Sequence, residues 1–229
     1  MTARVGKPEQ IPLDFRHPAA SGRDDLVISD PVSAAAGIID RWPDWASPVV
    51  IITGPEGSGK SHLAEVWRNK AKAVRVRPVE GSDAVLKAGE GPVLLEDADR
   101  DGFDQTELFH LINAVRSART SLLITARSWP MAWGVTLPDL ASRLKAATTV
   151  EIGPPDDLLL GQILVKLFAD RQIAADDRLI GYIVPRMERS LAAAVEIVEK
   201  LDRLALARGT RISRALAAEV IGSLPDERD

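Results

Sequence analysis

The spacing of apolar positions changes at Pro155. Ahead of it, short β-branched runs alternate with longer segments whose apolar residues recur every three or four positions. "SPVVIITG" (47–54) reads as a buried strand, and "KSHLAEVWRNKAKA" after it as a helix with Leu63, Val66 and Trp67 on one side. "AVRVRP" (73–78) and "GPVLLEDAD" (91–99) predict strands two and three. "QTELFHLINAVRSA" (105–118) carries Leu108, Leu111, Ile112 and Val115 as a helix stripe. "SLLITARSWP" (121–130) and "TTVEIGPP" (148–155) predict strands four and five, with a short helix at "LPDLAS" between them. Strands alternating with helices predict an α/β domain built on a mainly parallel sheet. Behind Pro155 the four remaining periodic segments read as helices, with Asp156, Asp176, Ser190 and Ser213 as N-caps. The pattern therefore predicts three parts: a tail over 1–23, an α/β domain over 24–153 and a small all-helical lid over 154–229.

Composition narrows the chemistry. The 229 residues include no cysteine and three scattered histidines (His17, His62, His110), which argues against disulfides and a zinc site. Hydrophobic residues at 45% and charged residues at 27% are ordinary globular values. The net charge of -4 argues against broad electrostatic binding to DNA. No apolar run approaches the length of a membrane span and no signal peptide is visible, so a soluble, cytoplasmic protein is expected.

The sharpest motif is "GPEGSGKS", running through Gly54, Pro55, Glu56, Gly57, Ser58, Gly59, Lys60 and Ser61, with His62 next. It fits G-x-x-x-x-G-K-[ST] and stands between a strand and a helix, as a phosphate-binding loop must. Its glycines let backbone N–H groups turn inward around phosphates, and the helix N-terminus adds partial positive charge. Lys60 is then expected at the β- and γ-phosphates and Ser61 on Mg²⁺. Strand three ends in Glu96 and Asp97, where such proteins place acids for Mg²⁺ and water; strand four ends with Thr125 and Arg127 at the same sheet edge. Acids and an arginine at exposed strand ends are also ordinary surface residues.

These motifs, in this order, resemble the AAA+ ATPases, and in detail the Hda-like, DnaA-related branch of that family. The likeness spans about residues 24 to 225. "DDLVISDPVSAAAGIIDRWP" resembles the segment lining the adenine pocket, with Leu26 and Val27 as its contacts. "LLEDAD" takes the Walker B place, "LLITARSWP" resembles the sensor 1 stretch and "LPDLASRL" resembles box VII, whose arginine finger falls on Arg143. "RMERSL" resembles the start of the sensor 2 helix and puts that arginine at Arg189. Two departures stand out. Glu96 replaces the initiator's aspartate, which puts the chain's own hydrolysis in doubt, and Ala147 replaces a second box VII arginine. The chain stops without the initiator's helix-turn-helix domain, so sequence-specific DNA binding is not expected.

The tail carries "QIPLDF", which fits Q-x-x-L-x-F, the pattern by which replication proteins dock on the bacterial sliding clamp. Gln10 offers an amide, Leu13 and Phe15 offer apolar anchors, and Pro12 favours an extended segment. A first strand docked on the domain is the bland alternative. The resemblance implies an AAA+ core with ADP or ATP bound, Mg²⁺ beside it on Ser61 and Glu96, and two protein partners, the DNA polymerase III sliding clamp and DnaA. Self-association stays open. Arg143 would act in trans on DnaA-bound ATP, negatively regulating replication initiation, with the chain's own ATPase weak or absent. The rival readings are an autonomous AAA+ ATPase acting on DNA, such as a helicase loader, and a P-loop small-molecule kinase. The first would need the basic cluster Lys70, Lys72, Arg75 and Arg77 as its DNA surface.

Overall fold

The computed structural model describes residues 30–223, which form two compact units divided between Pro155 and Asp156. The clamp pattern (Gln10, Leu13, Phe15) and the adenine-pocket pair (Leu26, Val27) lie outside the described residues.

In the first unit five strands, β1 (Val49–Thr53), β2 (Val74–Arg75), β3 (Val93–Leu95), β4 (Leu122–Ala126) and β5 (Thr148–Glu151), make one sheet in the order β2-β3-β4-β1-β5, all parallel. The central strands β1 and β4 are buried at every position, because both of their faces are covered. Alternation sorts their side chains. Val49 and Ile51 of β1, Val93 and Leu95 of β3, and Leu122 and Ile124 of β4 join a core with helices α3 (Ala84–Glu90), α5 (Gln105–Ala118) and α6 (Pro138–Lys145). The whole Leu108, Leu111, Ile112 and Val115 stripe of α5 is buried there. Burying each such side chain contributes roughly 1.5–3 kcal/mol.

Helices α1 (Asp30–Arg41) and α2 (Lys60–Ala71) pack on one another, and α2 lies against β3 and β4. The segment that joins α1 to β1 is pinned by aromatics. Trp45 stacks on the fully buried Trp67 of α2 with centroids 5.3 Å apart, and Trp42 meets the same ring edge-on at 6.4 Å. Lys70 donates to the carbonyls of Ile39 and Asp40, closing the open C-terminal turn of α1.

The second unit holds four helices, α7 (Asp157–Asp170), α8 (Asp177–Ile183), α9 (Leu191–Arg208) and α10 (Arg214–Gly222), around their own core of Leu160, Leu164, Phe168, Ile197, Val198, Leu201 and Val220. Each predicted N-cap makes its bond: Asp156 accepts from Leu159 N, Asp176 from Leu179 N, Ser190 from Ala193 N and Ser213 from Leu216 N.

Several predicted strands are shorter in the structure. The second shrinks from 73–78 to Val74 and Arg75, an exposed edge pair. The third stops at Leu95, since Asp97 turns left-handed (φ 48°) and a four-residue helix, α4 (Ala98–Asp101), follows. Helices α1 and α3 were not predicted; in α3, glycine and aspartate in a short segment concealed a packing made by Ala84 and Ala88 against α5.

Candidate nucleotide site

Because the sheet is parallel, the carboxyl ends of its strands share one edge, and the loop after β1 crosses that edge. Gly54 opens the loop at φ 150°, and a Cβ there would stand 2.4 Å from the Ile152 carbonyl oxygen beyond β5, so a side chain is barred by strain and by space. Gly59 is the left-handed N-cap (φ 96°) from which α2 starts, so the loop feeds directly into a helix N-terminus.

Lys60 is buried, and its ammonium donates to the carbonyls of Gly54 (2.8 Å) and Pro55 (2.7 Å). An ammonium has three donors, so one remains for a ligand. Burial lowers the pKa of Lys60 below the ordinary lysine value; Asp97, then Asp99 and Glu56, oppose that by their negative charge, while Arg127 adds to it. Ser58 Oγ is buried in the same loop with no hydrogen-bond partner. An ammonium with one donor left, an orphaned hydroxyl and a helix N-terminus fit the phosphates of a nucleotide, which would take up these donors. Ser61 is exposed on the first turn of α2 and His62 half-buried beside it.

The neighbouring strand ends close on the loop. Arg127 pairs with Glu56 at 2.7 Å, tying the end of β4 to the loop after β1. Thr125 is fully buried and its hydroxyl accepts from Asp97 N at 3.0 Å, fixing the turn after β3 to β4. Asp99, which sequence reasoning passed over, accepts from Arg127 N, Ser128 N and Ser128 Oγ. Burial pushes its carboxyl up, yet these donors outweigh burial and hold it below the usual aspartate value. The acid repeated two residues after Asp97 was the available signal. Trp129 donates from Nε1 to Glu151 at 3.0 Å while its ring stays half exposed.

Glu96 departs from expectation. Its carboxylate is taken by Arg75 Nε at 2.6 Å, and Arg75 also holds Glu65 at 2.6 Å, so Glu96 sits in a chain of four alternating charges, Arg68–Glu65–Arg75–Glu96. As placed, Glu96 does not fit a metal ligand beside Ser61. No group of three or more His, Cys, Asp or Glu able to hold a metal occurs among the described residues. The same pairing removes Arg75 from the basic cluster that a DNA-binding reading requires, and Lys70 is spent on α1.

Arg143 lies on the last turn of α6, half-buried, and its guanidinium makes no hydrogen bond or ion pair with any described residue. Arg189 is exposed in the helical unit and pairs with Asp157 at 2.9 Å.

A five-stranded parallel sheet in this order, with a glycine-rich loop after β1 and helices on both faces, is the AAA+ fold, and solved replication initiators share it. The crystal structure of domain III of DnaA from Thermotoga maritima superposes with a TM-score of 0.73 at 16% identity, covering 90% of this chain and 97% of that one. AMPPCP-bound DnaA from Aquifex aeolicus gives 0.68 at 18% identity, covering 86% of this chain and 68% of that one. By sequence, the chain is 31% identical over 178 residues to an uncharacterized protein of Haemophilus influenzae, covering 71% of this chain and 77% of that protein, and it belongs to one family with it. It is also 27% identical over 232 residues to the chromosomal replication initiator protein DnaA of Dechloromonas aromatica, covering 88% of this chain but half of that protein's length. No family model matches the chain. The protein is thus DnaA-like and AAA+ in fold, and among its described residues no helix is long and apolar enough to cross a membrane.

Proposed function

We propose that the protein is a clamp-tethered regulator that promotes hydrolysis of DnaA-bound ATP and so restrains initiation of chromosomal replication. ADP or ATP occupies the loop of Gly54 to Ser61 and holds the chain in its working form. Gln10, Leu13 and Phe15 dock on the sliding clamp. Arg143 is lent to the nucleotide of DnaA, where its charge and planar donor fork stabilise the transferring phosphoryl group. Leu26 and Val27 hold the adenine and Arg189 senses the phosphates.

The observation that carries this reading is Arg143 itself. Arg127 and Arg75 are each committed to carboxylates of their own chain, whereas the Arg143 guanidinium has no described partner. An arginine of that kind, on a helix following the fourth strand of an AAA+ core, suits a partner's phosphate. The likeness to DnaA in sequence and fold supports a relative as that partner, since AAA+ proteins of one shape can stack their sites.

The test is phosphate release from ATP-loaded DnaA, with and without this protein and DNA-loaded clamp. Stimulation is expected with both present. Arg143→Ala should remove it while leaving nucleotide and clamp binding intact, because arginine fingers in other P-loop systems contribute roughly 10³ to 10⁵ in rate. Replacing Leu13 and Phe15 together by alanine should abolish stimulation by abolishing clamp binding. Full stimulation by Arg143→Ala rejects the mechanism.

A further inference from the structure

The four-charge chain over β2, β3 and α2 bears on the nucleotide site. Arg75 stands opposite Leu94 in the β2–β3 register, and Glu96 lies two residues beyond Leu94. Alternation therefore gives Glu96 the face of Leu94, opposite to the face of Val93 and Leu95 that packs on α3 and α5. Glu65 of α2, the far end of the Arg75 bridge, is one helical turn beyond Ser61, roughly 6 Å along the axis. Glu96 thus follows β3 at the same carboxyl edge of the sheet from which the glycine-rich loop leaves β1, and a single guanidinium grips both its carboxylate and that of Glu65. The carboxylates acting on the Lys60 ammonium are Asp97, Asp99 and Glu56 instead.

We propose that Arg75 is a positioning residue that withholds Glu96 from the nucleotide site, so that nucleotide is held without a strand-end glutamate on its metal. This rests on the nucleotide-binding reading of the loop. The Arg75 ion pair fixes the Glu96 carboxylate in the position it takes. The chain of Arg68, Glu65, Arg75 and Glu96 is neutral as a whole, so each charge is satisfied where it stands.

The experiment measures ATP affinity by calorimetry in Mg²⁺ and in EDTA for the full chain, for Arg75→Ala and for Arg75→Ala combined with Glu96→Gln. The quantity read is the ratio of the two dissociation constants. Freeing Glu96 should raise that ratio roughly ten-fold in Arg75→Ala, the worth of about one charge-assisted contact. The double variant should return it to the parent's value. Arg75 is exposed, and Arg75→Gln, which keeps the stem, repeats the test if the alanine variant does not fold. A ratio unchanged in the single variant, or still raised in the double one, overturns the proposal. Failure of the parent chain to bind ATP in either condition overturns the phosphate-loop reading beneath it, a different and recognisable result.

Discussion

Lys60 shows how a loop can be held ready. Its ammonium is buried against two carbonyls of its own loop, with one donor left over. Lys60→Ala should weaken ATP binding about ten- to hundred-fold, the range of one charge-assisted hydrogen bond, measured by calorimetric titration. Glu65 offers a second residue-scale test. The hydrogen bond from Arg68, outweighing burial and aided by the charges of Arg68 and Arg75, brings its pKa down from 4.5 to about 2. A folded-state value below the unfolded one means that Glu65 stabilises the fold above about pH 4.5 and that this stability is lost as pH falls towards about 2. Glu65→Gln should therefore lower the thermal midpoint at pH 7 slightly and flatten its decline between those two values. The gain at pH 7 is small because the pair is solvent-screened. At this scale the sequence marked both Glu96 and Asp97 as acids at a strand end; that Glu96 is held by Arg75, a residue twenty-one positions away, no local pattern reveals.

Elements were legible in proportion to how far local chemistry controls them. The four N-caps of the helical unit were readable because the capping bond spans three residues, and all four form. Ser190 is the most informative, being buried and starting the eighteen-residue α9. Ser190→Ala should cost about 1 kcal/mol in denaturant unfolding, while Ser190→Asp should recover most of it. The stripes of α2 and α5 were equally plain, since a helix that buries one face must repeat apolar residues along it. Edge strand β2 was overestimated. Val and Arg alternate convincingly from 73 to 77, but pairing extends only as far as β3 offers a partner, and β3 itself ends at Leu95. Short α3 escaped notice because glycine and aspartate dominate its surroundings and its two buried alanines form too small a stripe.

At the scale of the molecule, each unit has a core of its own, so damage in one should register there first. Leu201 is fully buried within the helical unit. Leu201→Ala should cost roughly 2–5 kcal/mol through the cavity it leaves. Amide exchange should accelerate across α7 to α10 before it changes in β1 and β4; simultaneous acceleration in all of these would show that the two cores unfold together. The sequence by itself determined the alternation of strands and helices, the change of period at Pro155, the caps and the place of the glycine-rich loop between β1 and α2, because each is set by neighbours within a few residues. Only the tertiary structure decided the strand order, the bridge from Arg127 to Glu56, the capture of Glu96 by Arg75 and the lack of any described partner for Arg143. Those depend on which side chains from distant segments meet at the sheet's carboxyl edge, and a charge finds its partner there by distance in space rather than by position in the chain.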